Sequence, residues 1–186
     1  MWKKFAKLIL NIWRWKRSEF PNIRKAIIIM APHTSIFDFV WGKLYFMSFG
    51  LKPIILIKKE IFFWPLSPIL KVIGGVPVDR GKKTGITETA IEIFNTNENF
   101  LLVITPEGTR KKTKYWKKGF ARIAKTTNVP VILGYIDYKK HEMGVLDVCR
   151  IKENEDILDF IENIKKHYLN FTESGLRKNK FTTGYE

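Results

Sequence analysis

The chain has 186 residues, 45% of them hydrophobic and 14% aromatic, enough to bury a core yet short enough for one domain. A net charge of +15, from 33 Lys and Arg against 18 Asp and Glu, implies an anionic partner: nucleic acid, an anionic lipid surface or a phosphorylated substrate. One cysteine, Cys149, excludes an internal disulfide and a cysteine-based zinc site, and fits a reducing compartment.

The first element is "MWKKFAKLILNIWRWKR", in which Trp2, Phe5, Ile9, Ile12 and Trp13 recur at helical spacing while Lys3, Lys4, Lys7 and Arg14 take other faces. Six basic residues and no acidic ones fall in these seventeen positions, and three tryptophans accompany them. The pattern fits an amphipathic helix lying in the headgroup region of an anionic membrane, and equally an ordinary surface helix packed on the core. Lys and Arg interleave its apolar residues, so it does not read as a secretory signal. No apolar run approaches the roughly 18 residues that span a bilayer.

Beyond "SEFPN", "AIIIMA" (26–31) reads as a buried strand, 35–50 as a helix stopped by Gly50, and "PIILIK" (53–58) as a second strand. Two prolines break "EIFFWPLSPILKVIG" (60–74) into short helical turns, and "GVPVDRG" (75–81) is a short strand or turn. A helix over 84–97, a strand over 99–105, a loop over 106–118, a helix over 119–128, strands over 129–138 and 144–151, and an amphipathic helix over 153–171 complete the series. Strands alternating with helices predict an α/β layered domain with a largely parallel or mixed sheet flanked by helices. The expected organisation is an amphipathic helix over 1–20, the domain over 21–173 and a poorly ordered tail over 174–186.

Three polar clusters fall at expected strand ends, where open α/β sheets build their sites. His33 and Asp38 stand in an apolar context. A first-turn carboxylate reaching back to a loop histidine would fix Nδ1–H and leave Nε2 to accept a proton, the logic of a general base. Neither Ser35, a cap candidate, nor Cys149 reads as a nucleophile, so the proton would come from a substrate hydroxyl. Asp79-Arg80 and Glu107-Gly108-Thr109-Arg110 each set an arginine beside a glycine after a strand, suited to bidentate phosphate binding, though surface ion pairs would explain either cluster alone. His141 and His167 lack metal-ligand spacing to His33 and are expected in solvent, with no metal site.

Taken in order, H-x-x-x-x-D (His33 to Asp38), G-x-x-x-D-R (Gly75 to Arg80), E-G-T-R (Glu107 to Arg110) and V-P-V (Val129 to Val131) resemble the four motif blocks of the glycerolipid acyltransferases typified by 1-acylglycerol-3-phosphate acyltransferase. The resemblance covers roughly 26–138. It implies a glycerol-3-phosphate acyltransferase-like fold, with His33 as general base and Asp38 as its orienting partner. Arg80 with Glu107, Gly108, Thr109 and Arg110 would form the acceptor-phosphate site. Lys58, with Lys59 as competitor, is similar to a family lysine near the phosphate, and Val129-Pro130 would line the acyl side.

The implied reaction moves a fatty acyl group from acyl carrier protein or coenzyme A thioester to a lysolipid hydroxyl, with no cofactor and no nucleic-acid partner. Backbone N–H groups are the expected stabilisers of its oxyanion. The chain departs from larger members in lacking a long N-terminal hydrophobic helix pair and an aromatic residue before Asp79-Arg80. The first departure implies a cytoplasmic, peripheral enzyme on the inner face of the cell membrane. The second leaves lysophosphatidic acid as the leading acceptor, ahead of amino-acid-linked lipids. A non-catalytic basic module for membrane or nucleic acid is the competing class.

Overall fold

The computed structural model describes residues 2–72, 74–78, 85–111 and 113–169. Asp79, Arg80 and the expected tail over 174–186 lie outside the described residues. In chain order the elements are α1 (Trp2–Ile12), β1 (Lys16–Arg17), β2 (Lys25–Met30), α2 (Phe37–Phe49), β3 (Ile54–Lys58), a single 3-10 turn (Lys59–Ile61), α3 (Leu66–Val72), β4 (Gly75–Val78), α4 (Ile86–Thr96), β5 (Phe100–Ile104), α5 (Gly119–Thr127), β6 (Val131–Asp137), β7 (Glu142–Cys149) and α6 (Ile157–His167).

The strands form one sheet in the order β1-β7-β6-β2-β5-β3-β4. Neighbours from β6 to β4 run parallel, while β7 returns antiparallel to β6 and β1 lies parallel to β7. The mixed α/β sheet expected from the alternation is therefore present, with its antiparallel part at one edge.

β2 sits at the centre, paired on both sides, and its isoleucines divide by the two-residue period of a strand. Ile27 and Ile29 face a core completed by Phe94 of α4, Phe120 and Ile123 of α5, and Phe160 and Ile164 of α6. Ala26 and Ile28 face the opposite layer, with Leu10 of α1, Trp15, and Tyr45 and Phe46 of α2. Two apolar layers on one sheet explain why "AIIIMA" carries no polar alternation. α2 ends where Gly50 takes a left-handed φ of 79° and donates its N–H back to the last turn, the stop read from the sequence.

The N-terminal segment departs from the expected continuous helix. α1 ends at Ile12, and Arg14 turns the chain at a positive φ of 56°. Trp15 is buried, and Lys16 and Arg17 pair with Glu142 and Met143 of β7. The face of α1 that enters the core is Ala6 and Leu10, a narrower stripe than the one the periodicity singled out. Trp2, Phe5, Ile12 and Trp13 are exposed, as is Leu8. The periodicity located a helix, but most of the conspicuous apolar residues it singled out are exposed rather than packed in the core.

α6 begins later than the sequence suggested, at Ile157, because Asp156 caps it by accepting the N–H groups of Leu158 and Asp159. The acidic residues before it form a turn rather than a first helical turn.

Candidate active site

Parallel strands put their carboxyl ends at one edge, and the motif loops emerge there side by side. β2 leads to His33, β5 beside it leads to Glu107, and β6 on its other side leads to Tyr138.

His33 Nδ1 lies 3.1 Å from Asp38 Oδ2. A carboxylate can only accept, so Nδ1 carries the proton and Nε2 is the ring nitrogen left to take one. The same Oδ2 accepts the N–H groups of Thr34 at 2.7 Å and Ser35 at 2.9 Å, and Oδ1 accepts the Tyr138 hydroxyl at 2.7 Å. Asp38 stands in the first turn of α2, where the helix dipole favours an anion. Ser35 Oγ accepts the Phe37 N–H, so this serine serves the helix entry.

Glu107 is buried, and both its carboxylate oxygens accept the His33 backbone N–H, at 3.0 and 3.2 Å. Burial pushes its pKa up to about 8, opposed by the His33 N–H bond and reinforced by the negative charge of Asp38. Glu107 is expected at the acceptor phosphate; in the fold its carboxyl group meets the His33 backbone N–H. Its oxygens are turned to the histidine loop, and with its pKa raised to about 8 the carboxyl group keeps its proton at neutral pH. The next three residues lie nearer the surface: Gly108 is exposed with a left-handed φ of 64°, Thr109 is half-buried and holds the Lys111 N–H, and Arg110 is exposed.

The basic loop after Arg110 is anchored from behind. Trp116 is buried against Phe120 and Tyr168, Lys117 donates its N–H to the Pro106 carbonyl, and Lys165 of α6 donates to the Lys114 carbonyl and to Glu162. Its cations at Lys111, Lys114, Lys117 and Lys118 remain at the surface.

The other expected site residues separate by position. Lys58 is the last residue of β3, and its backbone pairs with Val78 of β4, the strand that precedes Arg80 by two positions. Lys58 and Val78 stand at the carboxyl edge of the sheet, while the side chain of Lys58 and the whole of Arg80 lie outside the described residues. Val129 and Pro130 are buried just before β6 begins, and the Pro130 carbonyl accepts the Ile27 N–H. They sit at the amino end of the parallel strands, the sheet's opposite edge from His33, so the structure does not bring them to the dyad. Their apolar character is accounted for by the core.

The N–H groups of residues 33, 34, 35 and 37 are engaged by Glu107, Asp38 and Ser35. The motif loop therefore uses its backbone donors to hold the dyad, and those four are not free to meet an oxyanion.

Sequence reasoning missed Tyr138 and the structural place of His141. Tyr138 lies a hundred residues from Asp38, and no local pattern links them. His141 is exposed at its edge, yet its ring stacks on Trp15 at 5.1 Å and its Nδ1 bonds the Trp13 carbonyl. His167 pairs with Asp147 at 3.5 Å.

Among the described residues Asp147, Cys149 and His167 offer ligand atoms within 4.8 Å of one another. They lie around β7, whose Cys149 pairs with Val131 at the sheet edge away from His33. Burial, Asp147 and Glu155 push the Cys149 thiol up to about 11, which keeps it protonated and a poor ligand.

The model of the family described as Acyltransferase matches residues 15–134. A 1-acyl-sn-glycerol-3-phosphate acyltransferase of Cocos nucifera is 34% identical over 124 residues, 62% of this chain and 38% of that protein. The match thus spans well under half the length of this curated relative. Among solved structures, the 1-acyl-sn-glycerophosphate (LPA) acyltransferase PlsC from Thermotoga maritima superposes with a TM-score of 0.62 over 95% of this chain and 80% of its own, at 18% identity, a likeness of fold.

Proposed function

This chain belongs to the acyltransferase family, and we propose that it transfers a fatty acyl group from a thioester, on acyl carrier protein or coenzyme A, to the free hydroxyl of a lysolipid, with 1-acylglycerol-3-phosphate as the leading acceptor. The observation that carries this reading is the His33–Asp38 pair at the carboxyl edge of the sheet, with the carboxylate fully engaged and, among the described residues, no activated serine or cysteine beside it. Such a pair is suited to deprotonate a substrate alcohol and unsuited to form a covalent acyl-enzyme.

His33 Nε2 takes the hydroxyl proton as the oxygen attacks the thioester carbonyl. Asp38 stabilises the imidazolium that forms, and the proton then passes to the departing sulfur. The products are the ester and a free thiol. Glu107 holds the histidine loop in place, and Arg110, together with Arg80 and Lys58, supplies the positive charge for the acceptor phosphate.

The lipid acceptor must be drawn from a bilayer, and the surface next to the dyad fits that origin. α1 packs antiparallel on α2: Lys3 reaches Gly50 at one end, and Trp13 meets Trp41 at the other, 5.7 Å between ring centroids. Ile12 and Trp13 therefore lie toward the α2 entry, where Ile36, Phe37 and Val40 are also exposed within a few residues of His33 and Asp38. Exposed aromatics flanked by surface cations favour a peripheral seat on an anionic membrane. No helix among the described residues is long and apolar enough to cross one. An inner-face location follows from the donor, since both thioesters are carried on soluble cytoplasmic groups.

The deciding measurement is thiol release from an acyl thioester in the presence of a panel of lysolipids, with His33→Ala as the control. Release with lysophosphatidic acid that disappears in His33→Ala while the melting temperature is kept supports the assignment. A folded His33→Ala protein of full activity would remove the base from the scheme, and salt-sensitive binding to nucleic acid without any acyl transfer would favour a basic binding module.

A further inference from the structure

The two oxygens of Asp38 are divided between two parts of the chain. Oδ2 serves the motif loop, taking His33 Nδ1–H and the N–H groups of Thr34 and Ser35. Oδ1 is held by the Tyr138 hydroxyl, at 2.7 Å. Tyr138 directly follows β6, which runs parallel to β2 in a register that pairs Met30 with Gly134, so the phenol arrives at the same sheet edge as the histidine loop.

The Tyr138 ring is itself held. Trp15 meets it edge-on at 5.4 Å, and Trp15 is buried between Trp41 at 5.1 Å and the stacked ring of His141. Trp15 is fixed by its own backbone N–H, donated to the Leu10 carbonyl at the end of α1. A chain of contacts thus runs from α1 to the carboxylate.

We propose that Tyr138 is a positioning residue of the dyad, that its hydroxyl fixes the Asp38 carboxylate so that Oδ2 remains on His33 Nδ1, and that Trp15 makes the N-terminal segment part of this support. The proposal rests on the acyltransferase reading above for its kinetic consequence, and on geometry alone for its structural one. The physical argument is rotational. The terminal torsion of an aspartate is broad and roughly two-fold, so a carboxylate held through one oxygen can swing, whereas one held through both is fixed in plane. Burial first, and then the hydrogen bond and negative charge of Asp38, raise the Tyr138 phenol above its usual range, so it stays a donor wherever the enzyme works. Loss of this donor would leave a buried carboxylate oxygen unsatisfied.

The test is Tyr138→Phe, which removes one oxygen and keeps the ring beside Trp15. With the intact chain, an acyl thioester and lysophosphatidic acid, kcat is expected to fall about tenfold or more while KM for both substrates is unchanged, as for a hydrogen bond to a charged group that acts through the dyad. Trp15→Phe should give a smaller loss of the same kind, and the double variant should lose little more than Tyr138→Phe alone, because both act through one contact. A second readout does not need turnover. The hydrogen-bonded Nδ1–H proton of His33, one of three histidines in the chain, should shift and broaden in the NMR spectrum of Tyr138→Phe. An unaltered resonance overturns the proposal even if the protein transfers no acyl group. Wild-type kcat in Tyr138→Phe overturns it as well, as does a loss seen only as raised KM.

Discussion

Two histidine–aspartate pairs occur among the described residues, and they share a residue composition without sharing a chemistry. His33 and Asp38 stand 3.1 Å apart with side chains 21% and 9% exposed; His167 and Asp147 stand 3.5 Å apart with side chains 37% and 49% exposed. The buried aspartate accepts two backbone N–H groups and a tyrosine hydroxyl besides the imidazole, so its orientation on the first turn of α2 is fixed by two separate stretches of chain, the motif loop and the end of β6. Asp147 instead accepts the N–H of its neighbour Val148 alongside His167. A base requires an oriented imidazole, and of the two pairs the first is the more buried and the more firmly held. Proximity in space alone would have ranked the two pairs nearly alike.

The largest difference between the pairs is expected at His33. His33→Ala should lower kcat/KM by about a thousandfold or more, measured as thiol release, with an unchanged melting temperature. Asp38→Asn is expected to lower it about a hundredfold or more and, unlike His33→Ala, to lower stability also. An amide at this position turns an NH2 group toward donors that now meet a carboxylate, and urea denaturation would register the difference.

Glu107 separates the first pair from the second through pH. The folded state raises its pKa to about 8 from an ordinary value of 4.5, so between those two values the native protein keeps a proton that the unfolded chain has released. Stability should therefore be fully present below about pH 4.5, fall as pH rises toward 8, and level off above it, by on the order of a few kcal/mol. Glu107→Gln removes this titration and should flatten the curve of stability against pH. A curve from pH 5 to 8.5 that is identical in the two proteins would contradict it.

On α1 the expected effect is on location rather than on chemistry. Replacing Trp2, Phe5 and Ile12 together by serine should reduce flotation with anionic liposomes and leave activity on detergent-dispersed acceptor intact, since these side chains are exposed. Deleting residues 1–17 would be a poorer experiment, because it also removes buried Trp15 and the pairing of Lys16 and Arg17 with β7. The smallest effect belongs to the second pair: His167→Ala should change stability by about 0.5 kcal/mol or less and leave turnover as it was. A large loss of activity there would dissolve the distinction between the two pairs.

Much of the molecule is legible in one dimension. The strand–helix alternation points to the mixed sheet, Gly50 marks the end of α2, and the spacing of His33 and Asp38 places a carboxylate where a helix's first turn can reach back to a loop. These features are local: they depend on hydrophobic period, on backbone freedom at one residue, and on the geometry of a single turn. The sequence singles out Glu107 and its neighbourhood, but not its contact with the His33 loop. A sequence shows that a carboxylate follows a strand, but only the pairing of β5 with β2 brings its oxygens to the His33 N–H.

Neighbouring residues, or their sum, sufficed for the layered architecture, the pairing of His33 with Asp38 and the strongly cationic character of the chain. Only the folded chain reveals that Tyr138 closes the far side of Asp38, that Val129 and Pro130 belong to the core at the opposite edge, and that α1 turns Ala6 and Leu10 inward while its larger apolar residues face out. These depend on which strands are neighbours and on which stripe of a helix meets them. Contacts across a hundred residues of chain leave no periodic trace.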